Sequence, residues 1–196
     1  MTYLIPFFVA AIVTGCNAAP DSGQDQANNS GFDAETIVAG TAPEAGYAVP
    51  GGRVIRAGIF KAVHEGKLLE DTSGTTGKSL KSLTLEFDKQ SERIPLVKGT
   101  YLGFQYRISD LPPELENTRV IKLRRVLMHP EMTLPDGSAT TGSDYMVTRK
   151  IKLGQVNSYD AYGFHEDYEL VAGEWAFQLW YRDTLLVEQI FTTYQP

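Results

Sequence analysis

From residue 53 onward the chain is written in short apolar runs that alternate with polar residues at a period of two. None carries the i, i+3, i+4 stripe of an amphipathic helix. Runs rich in Val, Ile, Leu, Tyr and Phe are broken by Gly, Pro, Asp and Ser, which reads as strands joined by turns. The pattern predicts strands near 53–64, 82–87, 101–108, 120–128, 145–153, 175–182 and 185–193. About seven strands in one domain of this size predict an all-β sandwich.

The last two strands are the clearest. Trp175, Phe177, Leu179 and Tyr181 fall on one face, with Ala176, Gln178 and Trp180 on the other. Arg182-Asp183-Thr184 is a tight-turn candidate, after which Leu185, Val187, Gln189 and Phe191 alternate with Leu186, Glu188, Ile190 and Thr192. The two form a hairpin whose aromatics favour a core role over sugar binding. Trp180 faces away from that stripe.

The N-terminal region has a different texture. An apolar run from Leu4 to Val13 contains Pro6 and is too short to span roughly 30 Å of hydrocarbon, yet it suits the apolar centre of a signal peptide. It ends in Val13-Thr14-Gly15-Cys16, which resembles the lipobox of bacterial lipoproteins. The resemblance implies that residues 1–15 are a signal peptide cleaved between Gly15 and Cys16. It also implies that Cys16 carries the lipid, and that Asn17, not being aspartate, directs the protein to the outer membrane. Stable anchoring needs more than one acyl chain, which a diacylglycerol plus an N-acyl group supplies.

Composition then shifts. Residues 16–52 are rich in Ala, Gly, Asn, Gln, Asp, Ser and Pro and contain no Lys or Arg, which reads as a disordered, flexible linker. Its acids Asp21, Asp25, Asp33, Glu35 and Glu44 account for five of the chain's six net negative charges. The domain expected at 53–196 is therefore close to neutral, which argues against nucleic acid as a partner. Cys16 is the single cysteine, so that domain has neither disulfide nor thiolate chemistry and relies on core burial.

Residues 58–193 resemble a bacterial family of domains of unknown function with an immunoglobulin-like β-sandwich. The motifs that carry the resemblance are His129-Pro130-Glu131-Met132, Pro135-Asp136-Gly137, Tyr162-Gly163-Phe164, and Gly173-Glu174-Trp175 through Leu185 and Phe191. It implies the fold and secretion and adds nothing on chemistry.

Motifs that would carry catalysis are incomplete. Ser73 to Ser79 looks like part of a phosphate-binding loop, but the first required glycine falls at Thr72 and no helix follows, so a mobile Gly/Ser/Thr loop is expected. His64, His129 and His165 lie near Glu65, Glu131, Glu166 and Asp167 without metal-site spacing; His129 is expected beside Pro130 at a strand end. No G-x-S-x-G elbow occurs, and Gly142-Ser143-Asp144 reads as a turn before a strand. No cofactor, metal or catalytic residue is assigned.

Two surface features remain. Arg119, Lys122 and Arg124, with Arg149 and Lys152 on a neighbouring strand, form a candidate anion patch, while Arg125 breaks the alternation. Loops at the ends of a sandwich are where binding usually resides, and residues 131–145 read as a long connection. His129, Asp136, His165 and Asp167 are the candidate ligand residues on such loops. The expectation is an envelope lipoprotein, lipid-anchored at the outer membrane and facing the periplasm. Its sandwich acts as a non-catalytic binding or assembly module for an envelope protein or glycan. The alternatives are a periplasmic hydrolase with a loop-borne metal or serine site, and a structural protein that self-associates through strand edges or the Trp180 side.

Overall fold

The computed structural model describes residues 49–196 apart from Glu65, Ser82 and Glu116. Gly15, Cys16 and most of the expected linker lie outside the described residues. Among the described residues eleven strands follow one another: β1 (Gly51–His64), β2 (Lys67–Glu70), β3 (Lys78–Lys81), β4 (Thr84–Gln90), β5 (Arg93–Pro95), β6 (Tyr101–Ser109), β7 (Val120–Thr133), β8 (Ala139–Lys150), β9 (Val156–Gly163), β10 (Gly173–Tyr181) and β11 (Thr184–Tyr194). They make a four-stranded sheet of order β4-β1-β6-β9, a five-stranded sheet of order β5-β11-β10-β7-β8, and a separate β2-β3 hairpin.

All pairings are antiparallel except β5 with β11. From β5 onward the chain follows immunoglobulin topology. Strands β11, β10 and β7 stand as G, F and C, with β8 as the added C′ strand, while β6 and β9 stand as B and E in the facing sheet. The protein is an immunoglobulin-like β-sandwich. β1 to β4 are an addition in front of it.

Alternation explains which faces meet. Leu102, Phe104, Tyr106 and Ile108 of β6 point into the sandwich with Trp175, Phe177 and Leu179 of β10 and Phe191 of β11. Phe104 and Phe177 meet edge to face at 5.7 Å between the strands that antibody domains join by a disulfide. Burial of rings replaces the covalent link, as a domain without cysteine requires.

Several expectations are corrected. Residues 156–163 form β9, and the chain between 131 and 145 is not a long connection. β7 runs on to Thr133, Leu134 to Ser138 turn tightly, and β8 begins at Ala139. Gly142-Ser143-Asp144 therefore lies within β8, and His129 lies inside β7 at a bulge between Met128 and Met132. Pro130 marks that bulge, since a proline interrupts ladder pairing without ending the strand. Arg125 is no exception to the alternation. Ile121, Leu123, Arg125, Leu127 and His129 are all buried, and their even-numbered neighbours Lys122, Arg124 and Met128 are exposed.

Candidate functional site

β8 and β9 end their respective sheets on the same side of the sandwich, which leaves the core open between them. The β2-β3 hairpin lies across that opening as a strap. Its turn is well built: the Asp71 amide donates to the Gly77 carbonyl at 2.9 Å, Gly74 to Asp71 at 3.0 Å, and Gly77 adopts a φ of 69°. The Asp71 carboxylate accepts the Ser73 amide at 3.0 Å, and that bond, with help from Ser79, holds its pKa below the usual carboxylate range. The segment expected as a Gly/Ser/Thr loop is a hydrogen-bonded turn.

One side chain pins the strap to the sandwich. Thr75 Oγ1, nearly buried, lies 2.7 Å from His129 Nε2 and 3.0 Å from both the Thr140 hydroxyl and the Gly142 carbonyl. His129 Nδ1 lies 2.7 Å from the Pro130 carbonyl, which can only accept, so Nδ1 carries the proton, and Nε2 and the Gly142 carbonyl stand as two acceptors around the one Thr75 hydroxyl proton. Burial pushes the imidazole pKa down against the opposing pull of that carbonyl, which keeps the ring neutral. The return limb of the strap is held where the Tyr159 hydroxyl donates to the Leu83 carbonyl at 3.2 Å.

Beneath the strap is a cleft of about 360 Å³. Leu68, Leu80 and Leu83 form its roof, and Tyr101, Tyr145, Tyr162 and Tyr168 form its walls. Arg125 is at its base, with a side chain only 6% exposed. Its Nε donates to Asp160 Oδ2 at 2.7 Å, its Nη2 to Oδ1 at 3.1 Å, and its Nη1 to the Ser143 hydroxyl at 3.1 Å. The guanidinium also stands over the rings of Tyr145 and Phe177 at 5.4 and 5.6 Å. Desolvation works against its charge, but Asp160 outweighs it and leaves the guanidinium pKa raised.

The far wall is the segment after β9. The buried Glu169 carboxylate accepts the Tyr162 hydroxyl at 2.8 Å, the Glu166 amide at 2.9 Å and the His165 amide, fixing a one-turn 3-10 helix at Asp167–Glu169. Burial first, then the Glu169 charge, drives the Tyr162 phenol far above its ordinary pKa. It therefore stays a donor. Gly163 admits this packing because a Cβ there would lie 2.4 Å from the Tyr101 ring and 2.8 Å from His165 Nε2.

The four loop candidates are not brought together. His165 lines the cleft with its ring edge-on to Tyr101 at 5.4 Å, and His129 stands behind the Thr75 latch. Asp136 is in the β7-β8 turn, where it caps Ser138, and exposed Asp167 pairs with Lys98 at 3.0 Å. The anion patch does not form as one surface. Lys122 and Arg124 face outward and Arg124 is tied to Asp144, while Arg149 turns inward to donate to the Tyr106 hydroxyl at 2.9 Å. Arg119 precedes β7 at a position bonded through its carbonyl to Ile151, and Lys152 bridges Gln155 in the turn before β9.

Among the described residues no three His, Cys, Asp or Glu side chains are placed to hold a metal ion. Thr75 and His129 share the atoms of a nucleophile and base, but Nδ1 of the histidine faces a carbonyl where an orienting carboxylate would stand in a triad. Sequence reasoning missed Thr75, Arg125, Asp160 and Glu169. Only Arg125 left a signal, its phase with Ile121 and Leu123.

Three of the four sequence motifs converge on Trp175, the exception being Pro135-Asp136-Gly137 in the β7-β8 turn. His129 stacks on its indole at 4.7 Å, Tyr162 lies at 4.9 Å and Phe164 at 5.5 Å, while Pro130 fills the space where Gly173 lacks a Cβ. Fold and cleft define an immunoglobulin-like domain with a strapped, polar-based cavity. The chain belongs to the family described as a domain of unknown function, DUF3859, which matches residues 49–193. An immunoglobulin-like protein from Pseudomonas aeruginosa is similar to it at 23% identity and a TM-score of 0.44, over 73% of this chain and 96% of that one. No curated protein matches the chain.

Proposed function

We propose that this protein is an envelope lipoprotein, anchored through lipidated Cys16, whose sandwich binds a glycan fragment in the cleft beneath the β2-β3 strap. The observation that carries the binding role is the half-open cleft of about 360 Å³ lined by tyrosines, with a paired guanidinium at its base. Its size and mixture of apolar wall with a few oriented polar groups are those of small-ligand sites. Tyrosine faces stack on the apolar faces of sugar rings, while Ser143, Thr76 and the Tyr145 and Tyr168 hydroxyls offer partners for sugar hydroxyls. Arg125 is already neutralised by Asp160, so it orients a polar group without demanding an anion.

Calorimetry on the detergent-extracted full chain, with muropeptides and lipopolysaccharide-core oligosaccharides as probes, tests the binding. Saturable heat from one of them is expected, and Ser143→Trp, which fills the cleft, is expected to abolish it. No heat with either probe, or equal heat from both proteins, counts against a glycan site. The anchor is tested separately by Cys16→Ala, which is expected to lose palmitate labelling and leave the membrane fraction.

A further inference from the structure

The outer face of the five-stranded sheet is a second feature, on the opposite side of β7 from the cleft. In register across it stand Leu185, Trp180, Arg124 and Met146 in one row, and Ile190, Ala176 and Met128 in another, with Val126 between. Met128, Met146, Leu185 and Ile190 are each more than a third exposed. Trp180 is held rather than loose: its indole Nε1 donates to Gln178 Oε1 at 3.0 Å, and Gln178 Nε2 donates to Glu188 Oε1 at 2.8 Å. A fixed aromatic beside an arginine, within an exposed apolar area, is the composition of an interface centre.

Charge placement selects the occupant. Arg124 and Asp144 neutralise each other within the face. Among the other charges of these strands, Lys122 and Lys150 lie at one corner, near the start of β7 and at the end of β8, while Asp183 of the β10-β11 turn adds a negative charge near Arg124 and Glu131 is exposed within the β7 bulge. Glu174 and Glu188 lie toward the diagonally opposite corner, on β10 and β11. A second copy rotated by half a turn about an axis in the plane of the sheet, oblique to the strands, brings each basic corner onto an acidic one. The apolar rows meet in the middle. Such an arrangement is self-complementary, as a two-fold interface requires.

We propose that this protein pairs with a second copy of itself through the outer face of β7, β8, β10 and β11. The proposal is independent of what the cleft binds. A bismaleimide of roughly 10 Å span, comparable to the spacing of packed sheets, tests it on the full chain in its membranes. Val126→Cys, near the proposed axis, is expected to yield a covalent dimer well above the background of the unaltered chain. Lys89→Cys, exposed on β4 of the other sheet, is expected to yield none. Lys122→Glu with Lys150→Glu, made in the Val126→Cys chain, is expected to reduce the dimer at least tenfold, and adding Glu174→Lys with Glu188→Lys to restore it. Absence of a Val126→Cys dimer, equal dimer from Lys89→Cys, or a yield indifferent to the charge reversals would each overturn the proposal.

Discussion

Thr75 of the strap and His129 of β7, 54 residues apart in the chain, meet at 2.7 Å between hydroxyl and imidazole. The bond joins the added hairpin to the immunoglobulin-like body, and the imidazole that receives it is stacked in turn on Trp175. Closure of the cleft and packing of the core therefore share one residue.

Thr75→Val keeps the shape of the side chain but removes its hydroxyl, leaving buried His129 Nε2 without that partner. A loss of about 1–3 kcal/mol is expected, the cost of an orphaned buried polar group. Hydrogen exchange should quicken across residues 67–81 while β6 and β10 stay protected, and Thr75→Ser should retain slow exchange. Equal exchange in the valine variant would show that the strap is held by other contacts.

The same histidine makes stability depend on pH. Its folded pKa lies below the ordinary 6.5, so below that value the unfolded chain binds a proton that the folded chain resists. Its contribution is complete above pH 6.5 and is lost as pH falls through the depressed folded value. Melting temperature followed downward from pH 7 should therefore fall less steeply in His129→Gln than in the unaltered protein, whatever the variant's absolute stability.

Arg125 and Asp160 bridge the two sheets, with side chains 6% and 8% exposed. Asp160→Asn leaves the buried guanidinium without its counter-charge and is expected to cost about 3–5 kcal/mol in denaturant unfolding. Replacing both, as Arg125→Met with Asp160→Leu, is expected to recover most of that loss. If the double variant is as unstable as the single one, the cost does not come from the uncompensated charge.

Phe177→Ala removes the ring that meets Phe104 and Phe191, at centroid distances of 5.7 and 5.9 Å. A loss of about 3–5 kcal/mol is expected from vanished burial and the cavity left behind, read from the shift in denaturation midpoint.

Gly163→Ala tests the cleft without touching the strap. Its methyl group would enter the Tyr101 ring, so Tyr101 and His165 must move into the space beneath the strap. The expected result is a weakened response to the glycan probe with a change in stability smaller than that of Phe177→Ala.

Alternation by itself determined the β-sandwich and the final hairpin, because a period of two assigns each residue to a face whatever its distant partners are. It also placed Trp175 and Phe177 inward. The weaker strands escaped it: β9 carries Asn157, Ser158 and Asp160 among its apolar residues, and β2 and β3 are four residues each. Tertiary structure decided the rest. Asp160 reads as a strand breaker until Arg125 stands opposite it, and Thr75 is an ordinary loop threonine until His129 is brought near. A cleft is made by residues distant along the chain, while a local pattern records only which side of its own strand each residue faces.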